Sequence, residues 1–228
     1  MMWKVGWAVV VVGAAVVVGV VPAADAQGHG VGAGNAAELE EARRLDQEAL
    51  SLLDAGRYDA AVPLAERALA IREKALGPDH PEVATALDNL ALLYANRGEY
   101  DRAEPLYQRA LAIDEKALGP DGVATDLHNL ADLYASKSDY DRAEPLYQRA
   151  LAINEKALGP DHPDVAQSLN GLAELYREKA EYDRAGPLYE RALAILQKAL
   201  GPDHPDVAQL LNNLALLYEA KGEYARAE

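Results

Sequence analysis

Four stretches of this chain place leucine, alanine and tyrosine at i, i+3, i+4 and i+7. They are Leu87, Leu90, Ala91 and Tyr94; Leu127, Leu130, Ala131 and Tyr134; Leu169, Leu172, Ala173 and Tyr176; and Leu211, Leu214, Ala215 and Tyr218. Residues at that spacing share one helical face, so each stretch is predicted as an amphipathic helix with this face in the core. After a polar turn such as Asn96-Arg97-Gly98-Glu99, the residues Ala103, Leu106, Tyr107, Ala110 and Leu111 resume the same period and predict a second helix packed on the first. Pro63, Pro105, Pro145 and Pro187 are expected in or near the first turn of these second helices, where a missing N–H costs little. Gly119-Pro120 and its counterparts end them, the glycine supplying a left-handed cap and the proline unable to continue the helix.

The helix pairs are copies. The segment YDRAEPLYQRALAIDEKALGPD beginning at Tyr100 recurs at Tyr140 with one change, Asp114 to Asn154, and a third copy at Tyr182 differs from the first at four positions. Gly77, Gly119, Gly159 and Gly201 mark periods of 42, 40 and 42 residues. The short period arises because GPDGVATDL lacks the His-Pro pair present in GPDHPEVATAL, just where a first helix should begin. Self-similarity at a fixed period predicts an all-α fold, an α-solenoid of antiparallel helix pairs in which each pair buries its apolar face on its neighbours. About four and a half pairs are expected over residues 36–228. The first pair, near Ala36 to Asp54 and Tyr58 to Leu76, keeps Leu45, Ala49, Leu52, Ala61 and Ala68 but has Ala65 in place of a core aromatic, as a capping repeat would. At the other end the sequence stops at Glu228, a few residues into a second helix. Leu211, Leu214 and Tyr218 are therefore expected to lack a partner helix, as in a truncated frame, a fragment, or a surface completed by another protein or a second copy.

Residues 1–26 read as an export signal: Lys4, an uncharged apolar run from Val5 to Val21, then Pro22 and a small-residue site ending at Ala26. The rival reading is an uncleaved membrane anchor, because 17 apolar residues are at the short limit for a bilayer span. Residues 27–35, QGHGVGAGN, have the glycine content of a flexible linker. The expected location is periplasmic or extracellular, with no membrane contact beyond the signal.

Composition narrows the chemistry. The absence of cysteine excludes disulfides, thiolate metal sites and a cysteine nucleophile. With 22 Lys plus Arg against 37 Asp plus Glu, a nucleic-acid backbone is a poor partner and a neutral or basic one a better match. His80, His162 and His204 recur before Pro81, Pro163 and Pro205, but equivalent positions lie a whole repeat apart, and a metal needs its nitrogen ligands at about 2.0 to 2.1 Å from one point. They are read instead as helix openings, with proline at the first helical position and Glu82, Asp164 or Asp206 favoured by the helix dipole. No nucleophile elbow, phosphate loop or zinc-binding helix motif is present, so neither a catalytic residue nor a cofactor is expected.

The set Leu90, Ala91, Tyr94, Ala103, Tyr107 and Ala110, with the ALGPDHP linker and the string LNNLALLY at Leu211 to Tyr218, resembles the tetratricopeptide repeat and its kinesin-light-chain type, also found in bacterial exported proteins. The resemblance covers roughly Glu38 to Glu228. It implies that first helices line a concave groove that binds extended or helical peptides. On those helices, off the core face, lie Asp88, Asn89 and Leu92; His128, Asn129 and Asp132; Asn170 and Glu174; and Asn212 and Asn213. An asparagine amide both donates to and accepts from a peptide backbone, while Asp132, Glu174 and Glu178 make the centre acidic. A peptide with an apolar anchor and a basic residue would complement this stripe. No Lys or Arg stands where some members clamp a terminal carboxylate, so that mode is not carried over. The expected function is a non-catalytic protein-interaction scaffold. The alternatives are the recognition arm of a larger enzyme, such as a caspase-like protease, and a structural protein that self-associates through its uncapped end.

Overall fold

The computed structural model describes residues 33–223. The expected export signal and most of the linker, like the second helix expected after Gly222, lie outside the described residues. Among the described residues there are nine helices: α1 (Ala33–Asp54), α2 (Tyr58–Leu76), α3 (Pro81–Asn96), α4 (Tyr100–Leu118), α5 (Ala124–Ser136), α6 (Tyr140–Leu158), α7 (Pro163–Glu178), α8 (Tyr182–Leu200) and α9 (Pro205–Lys221). Helix α1 starts three residues before the expected Ala36. The helices pair as α1/α2, α3/α4, α5/α6 and α7/α8, each pair packs on the next, and the result is an all-α solenoid.

The predicted core faces of α3, α5 and α7 are all buried. Val83, Val123 and Val165 extend those faces by one turn, and a second buried row beside them was not anticipated: Ala86 and Leu93 on α3, with Leu133 and Leu175 as counterparts of Leu93, on the side of the preceding pair. First helices of internal repeats are therefore covered on two sides, which single-face periodicity does not anticipate. On α1 the positions corresponding to Val83, Ala86, Leu90 and Leu93 are Glu41, Arg44, Glu48 and Ser51. That polar face makes α1 a cap, because a solenoid end must meet water where an internal repeat meets a neighbour. On α9, Val207, Leu210, Leu217 and Tyr218 are buried, but Leu211 is 45% exposed. Tyr218 thus does not share the unpartnered face expected for it; it reaches back to α8 and donates to Glu190 Oε1 at 2.8 Å.

Local chemistry sets the ends of the helices. His80, His162 and His204 are N-caps whose Nδ1 accepts the N–H of Glu82, Asp164 and Asp206 at 3.1, 3.2 and 3.2 Å. Each satisfies a donor that has no intrahelical partner, which gives the repeated His-Pro a structural reason. The prolines differ from expectation. Pro105 is the sixth residue of α4, inside the helix, as are Pro63, Pro145 and Pro187 in theirs. It removes the bond to the carbonyl of Asp101, on a solvent-exposed side where water can replace it. The closing glycine also differs: Gly77 has φ 89° and ψ 159°, outside the left-handed helical well and in a region that essentially only glycine enters.

Ion pairs tie α4, α6 and α8 to the repeat before each. Arg109, Arg149 and Arg191 meet Glu73, Glu115 and Glu155 at 2.6, 2.7 and 2.7 Å, and Lys116, Lys156 and Lys198 meet Asp79, Asp121 and Asp161.

Candidate peptide-binding groove

Successive first helices approach one another across the stack, α1 to α3, α3 to α5, α5 to α7 and α7 to α9, whereas no second helix comes as close to the next second helix. The solenoid is tighter on the first-helix side, so that side is concave. The ten predicted residues lie along it at very different depths.

Asn89 and Asn129 are half-buried on consecutive first helices and make no side-chain hydrogen bond among the described residues. Leu92, on α3, is half-buried. The neighbouring Asn96 is closed off, because its Nδ2 donates to the Leu92 carbonyl at 2.9 Å.

Asp88 turns inward. Its Oδ1 is sealed from solvent without a hydrogen-bond partner, and its electrostatic neighbours are Asp114 of α4 and Asp126 of α5. It is an interior residue of the repeat junction rather than a groove contact, because α4 and α5 close over it. His128 also turns in. Its side chain is 12% exposed and lies edge-on to Tyr147, with ring centroids 5.3 Å apart and an angle of 67°. The exposed Asp132 accepts the Tyr147 hydroxyl proton and stands 3.6 Å from His128 Nε2. Burial, then the charge of Asp132, pushes the Tyr147 phenol above its usual range.

This cluster explains a gap in the row of amides. Gly171 stands where other first helices carry Asn89, Asn129 and Asn213, and a Cβ there would lie 2.7 Å from Tyr147 Cε1 and 3.0 Å from His128 Cε1. No larger residue fits without displacing an aromatic ring. Beyond the gap, Asn213 Nδ2 donates to Asn170 Oδ1 at 3.1 Å, so these two amides are bonded to each other; Asn212 is exposed.

Glu174 is not an open carboxylate. Arg177 holds it through Nε at 3.1 Å and Nη2 at 2.8 Å, and the same Nη2 is 2.6 Å from Glu178. Burial works against the guanidinium charge, but the Glu174 charge outweighs it and keeps Arg177 above its ordinary range. One of the two negative charges expected on α7 is therefore balanced by a cation that sequence reasoning left out. The signal was present as the i, i+3 spacing of Glu174 and Arg177. The result is a groove with two parts: around α3 and α5 it offers half-buried, unpaired amides beside an apolar residue, and around α7 and α9 Asn170 is bonded to Asn213 and Glu174 to Arg177, leaving, of the asparagines there, only the exposed Asn212 without a side-chain bond among the described residues.

A family model described as tetratricopeptide repeat matches residues 41–116, 87–156, 122–198 and 164–228. Among solved structures, a Podosopora anserina kinesin-light-chain protein with nearly identical TPR-like repeats superposes with a TM-score of 0.68 at 28% identity, covering 83% of this chain and 90% of that one. BtubC (BKLC) from P. vanneervenii gives 0.60 at 28% identity, covering 85% and 86%. Aspartyl phosphate phosphatase F from Bacillus subtilis, at 17% identity and a TM-score of 0.64 over 83% of this chain and 57% of that one, shares the fold. No curated protein sequence matches the chain significantly.

Proposed function

Because the chain belongs to the tetratricopeptide repeat family, with kinesin-light-chain-like repeats, we propose that it is a non-catalytic scaffold holding a peptide segment of a protein partner in its concave groove. The observation that carries this reading is the pair Asn89 and Asn129, exposed in part on adjacent first helices and unpaired among the described residues. An unpaired amide on a concave surface has both its donor and its acceptor available, which is what an extended peptide backbone requires. Leu92 offers an apolar contact beside them. The exposed Asp132, in a chain of net charge −15, favours a basic residue on the bound segment. The scaffold acts outside the cytoplasm in this reading, delivered by residues 1–26; amino-terminal sequencing of the protein recovered from the producing cell tests that step, and a mature chain still beginning at Met1 would overturn cleavage.

The groove is tested by selecting peptides from a displayed library on the immobilised chain and measuring their affinity by calorimetry. Each lost amide bond to a backbone is worth on the order of 1 kcal/mol, so Asn89→Ala with Asn129→Ala should weaken binding about tenfold or more with unchanged helicity. Asn213→Ala, whose amide is already committed to Asn170, should have a smaller effect. Equal binding by the double variant and the parent would defeat the proposal.

A further inference from the structure

Every repeat junction is built around the same three positions: one on a first helix, one late in its second helix, and one early in the next first helix. Between the first and second repeats they are Asp46, Arg72 and Ala86, with Arg72 Nη2 2.5 Å from Asp46 Oδ2. Between the third and fourth they are His128, Asn154 and Ser168, and Asn154 Nδ2 donates to Ser168 Oγ at 3.1 Å. Between the fourth and fifth they are Asn170, Leu196 and the buried Leu210. Each of these is an ion pair, a neutral hydrogen bond or an apolar contact.

The junction between the second and third repeats has Asp88, Asp114 and Asp126 at these positions. Asp126 is 5% exposed, and the Oδ1 atoms of Asp88 and Asp114 are both sealed from solvent without a hydrogen-bond partner. No ion pair among the described residues engages any of the three. The other titratable groups bearing on them are Tyr107 and Glu115 of α4, neither a cation. Arg72 of α2 is committed to Asp46 and to Glu82, 3.7 Å away. Burial is the main influence on all three carboxyls and raises each of them: Asp88 well above the usual carboxylate range, helped by Asp126 and Asp114; Asp114 to about 6, helped by Asp126; and Asp126 less far, because a hydrogen bond from Asp88 favours its charged form.

The same junction is also the least firmly built. Helix α5 is the shortest of the first helices, and its N-cap, Val123, makes no side-chain bond, whereas α3, α7 and α9 open on a capping histidine followed by proline. Helices α4 and α5 also pack less extensively than the corresponding pairs at the other junctions. We propose that the junction of α3 and α4 with α5 is a pH-responsive hinge of the solenoid, closed while Asp88, Asp114 and Asp126 share protons and loosened when they ionise. The hinge lies between Asn89 and Asn129, so its opening changes the distance between the two unpaired amides; it stands whether or not those amides bind a peptide.

The sign follows from linkage. These carboxyls keep their protons to higher pH folded than unfolded, so the folded state loses stability as pH rises from the ordinary carboxylate range through about 6 and beyond. The chain supplies its own replacement set: Asp114→Asn with Asp126→Ser installs the neutral pair of the next junction. Between pH 5 and pH 8 the melting temperature of the parent should fall relative to that variant by on the order of 5 °C. Because the chain has no cysteine, spin labels on Ala70→Cys and Ala194→Cys read the hinge directly, and their distance distribution should broaden at pH 8 in the parent only. Parallel melting curves and an unchanged distribution would overturn the hinge. If the variant fails to fold, hydrogen exchange on the parent decides: corrected protection should fall at pH 8 in α4 and α5 ahead of the other helices, and a uniform change would refute the proposal.

Discussion

The outer and inner sides of this solenoid are made from the same repeats and obey different rules. On the outer side the second helices are near-copies, and each copy makes the same contacts: an arginine and a lysine to acids of the preceding repeat, and an arginine stacked 3.7 to 4.1 Å from the centre of the tyrosine ring of its own first helix in three successive pairs. On the inner side the equivalent positions diverge along the stack: Asn89 and Asn129 make no side-chain hydrogen bond among the described residues, Gly171 yields to Tyr147, and Asn213 bonds to Asn170. A repeated sequence encodes a repeated contact. Positions outside that contact are free to diverge, and their divergence gives each stretch of the groove its own chemistry.

One outer contact shows how strictly the rule is kept. Tyr94, Tyr134, Tyr176 and Tyr218 each donate to a glutamate of the preceding second helix, namely Glu66, Glu104, Glu144 and Glu190. Glu104 and Glu144 come from the fifth position of their helices, where α2 and α8 have Val62 and Gly186; there the acid moves one turn on, to Glu66 and Glu190, where α4 and α6 carry Gln108 and Gln148. The carboxylate is preserved although its position is not. Lys137, Tyr134 and Lys179, Tyr176, Arg184 hold Glu104 and Glu144 below the usual range; for Glu104 the Lys137 bond is the largest influence, and for Glu144 burial opposes the shift and is outweighed.

The contrast can be broken most forcefully on the inner side. Gly171→Asn, which restores the residue found at the same position in the other first helices, drives a Cβ into Tyr147 and should cost about 2 to 3 kcal/mol in urea unfolding. A stable variant would mean that inner positions are as interchangeable as outer ones. A smaller effect tests the outer rule: Glu104→Val removes the acid from the Tyr134 hydroxyl and leaves Lys137 and Arg142 only Asp101 and Asp139, which should cost about 1 kcal/mol, and adding Gln108→Glu, which copies α2, should recover most of it. A double-mutant cycle with no coupling would show the swap to be incidental. The smallest effect is a gain. Ala180 sits at φ 57° in the turn between α7 and α8, where other repeats have glycine at Gly98 and Gly222, so Ala180→Gly should raise stability by roughly 0.5 to 1 kcal/mol. A loss would mean that turn entropy outweighs the strain.

Much of this was legible along the chain. Period and punctuation give the helix pairs, the buried faces of α3, α5 and α7, the opening role of His-Pro and the capping role of α1, because each depends on residues within a few turns of one another. The groove was legible only as a stripe. Which members of the stripe are free depends on neighbours up to 43 positions away, such as Tyr147 beside His128 and Gly171, or Asn213 against Asn170.

The sequence by itself determined an all-helical stack of fixed repeat and the family to which it belongs, since amphipathic spacing and self-similarity are local properties repeated along one dimension. Tertiary structure alone decided that Asp88 is an interior group facing two other carboxyls, that Arg177 bridges the two acids of α7, and that Asn89 and Asn129 make no side-chain hydrogen bond among the described residues while Asn170 and Asn213 bond to each other. Burial and pairing of a polar side chain are properties of the space between helices, and that space exists only once the repeats have stacked.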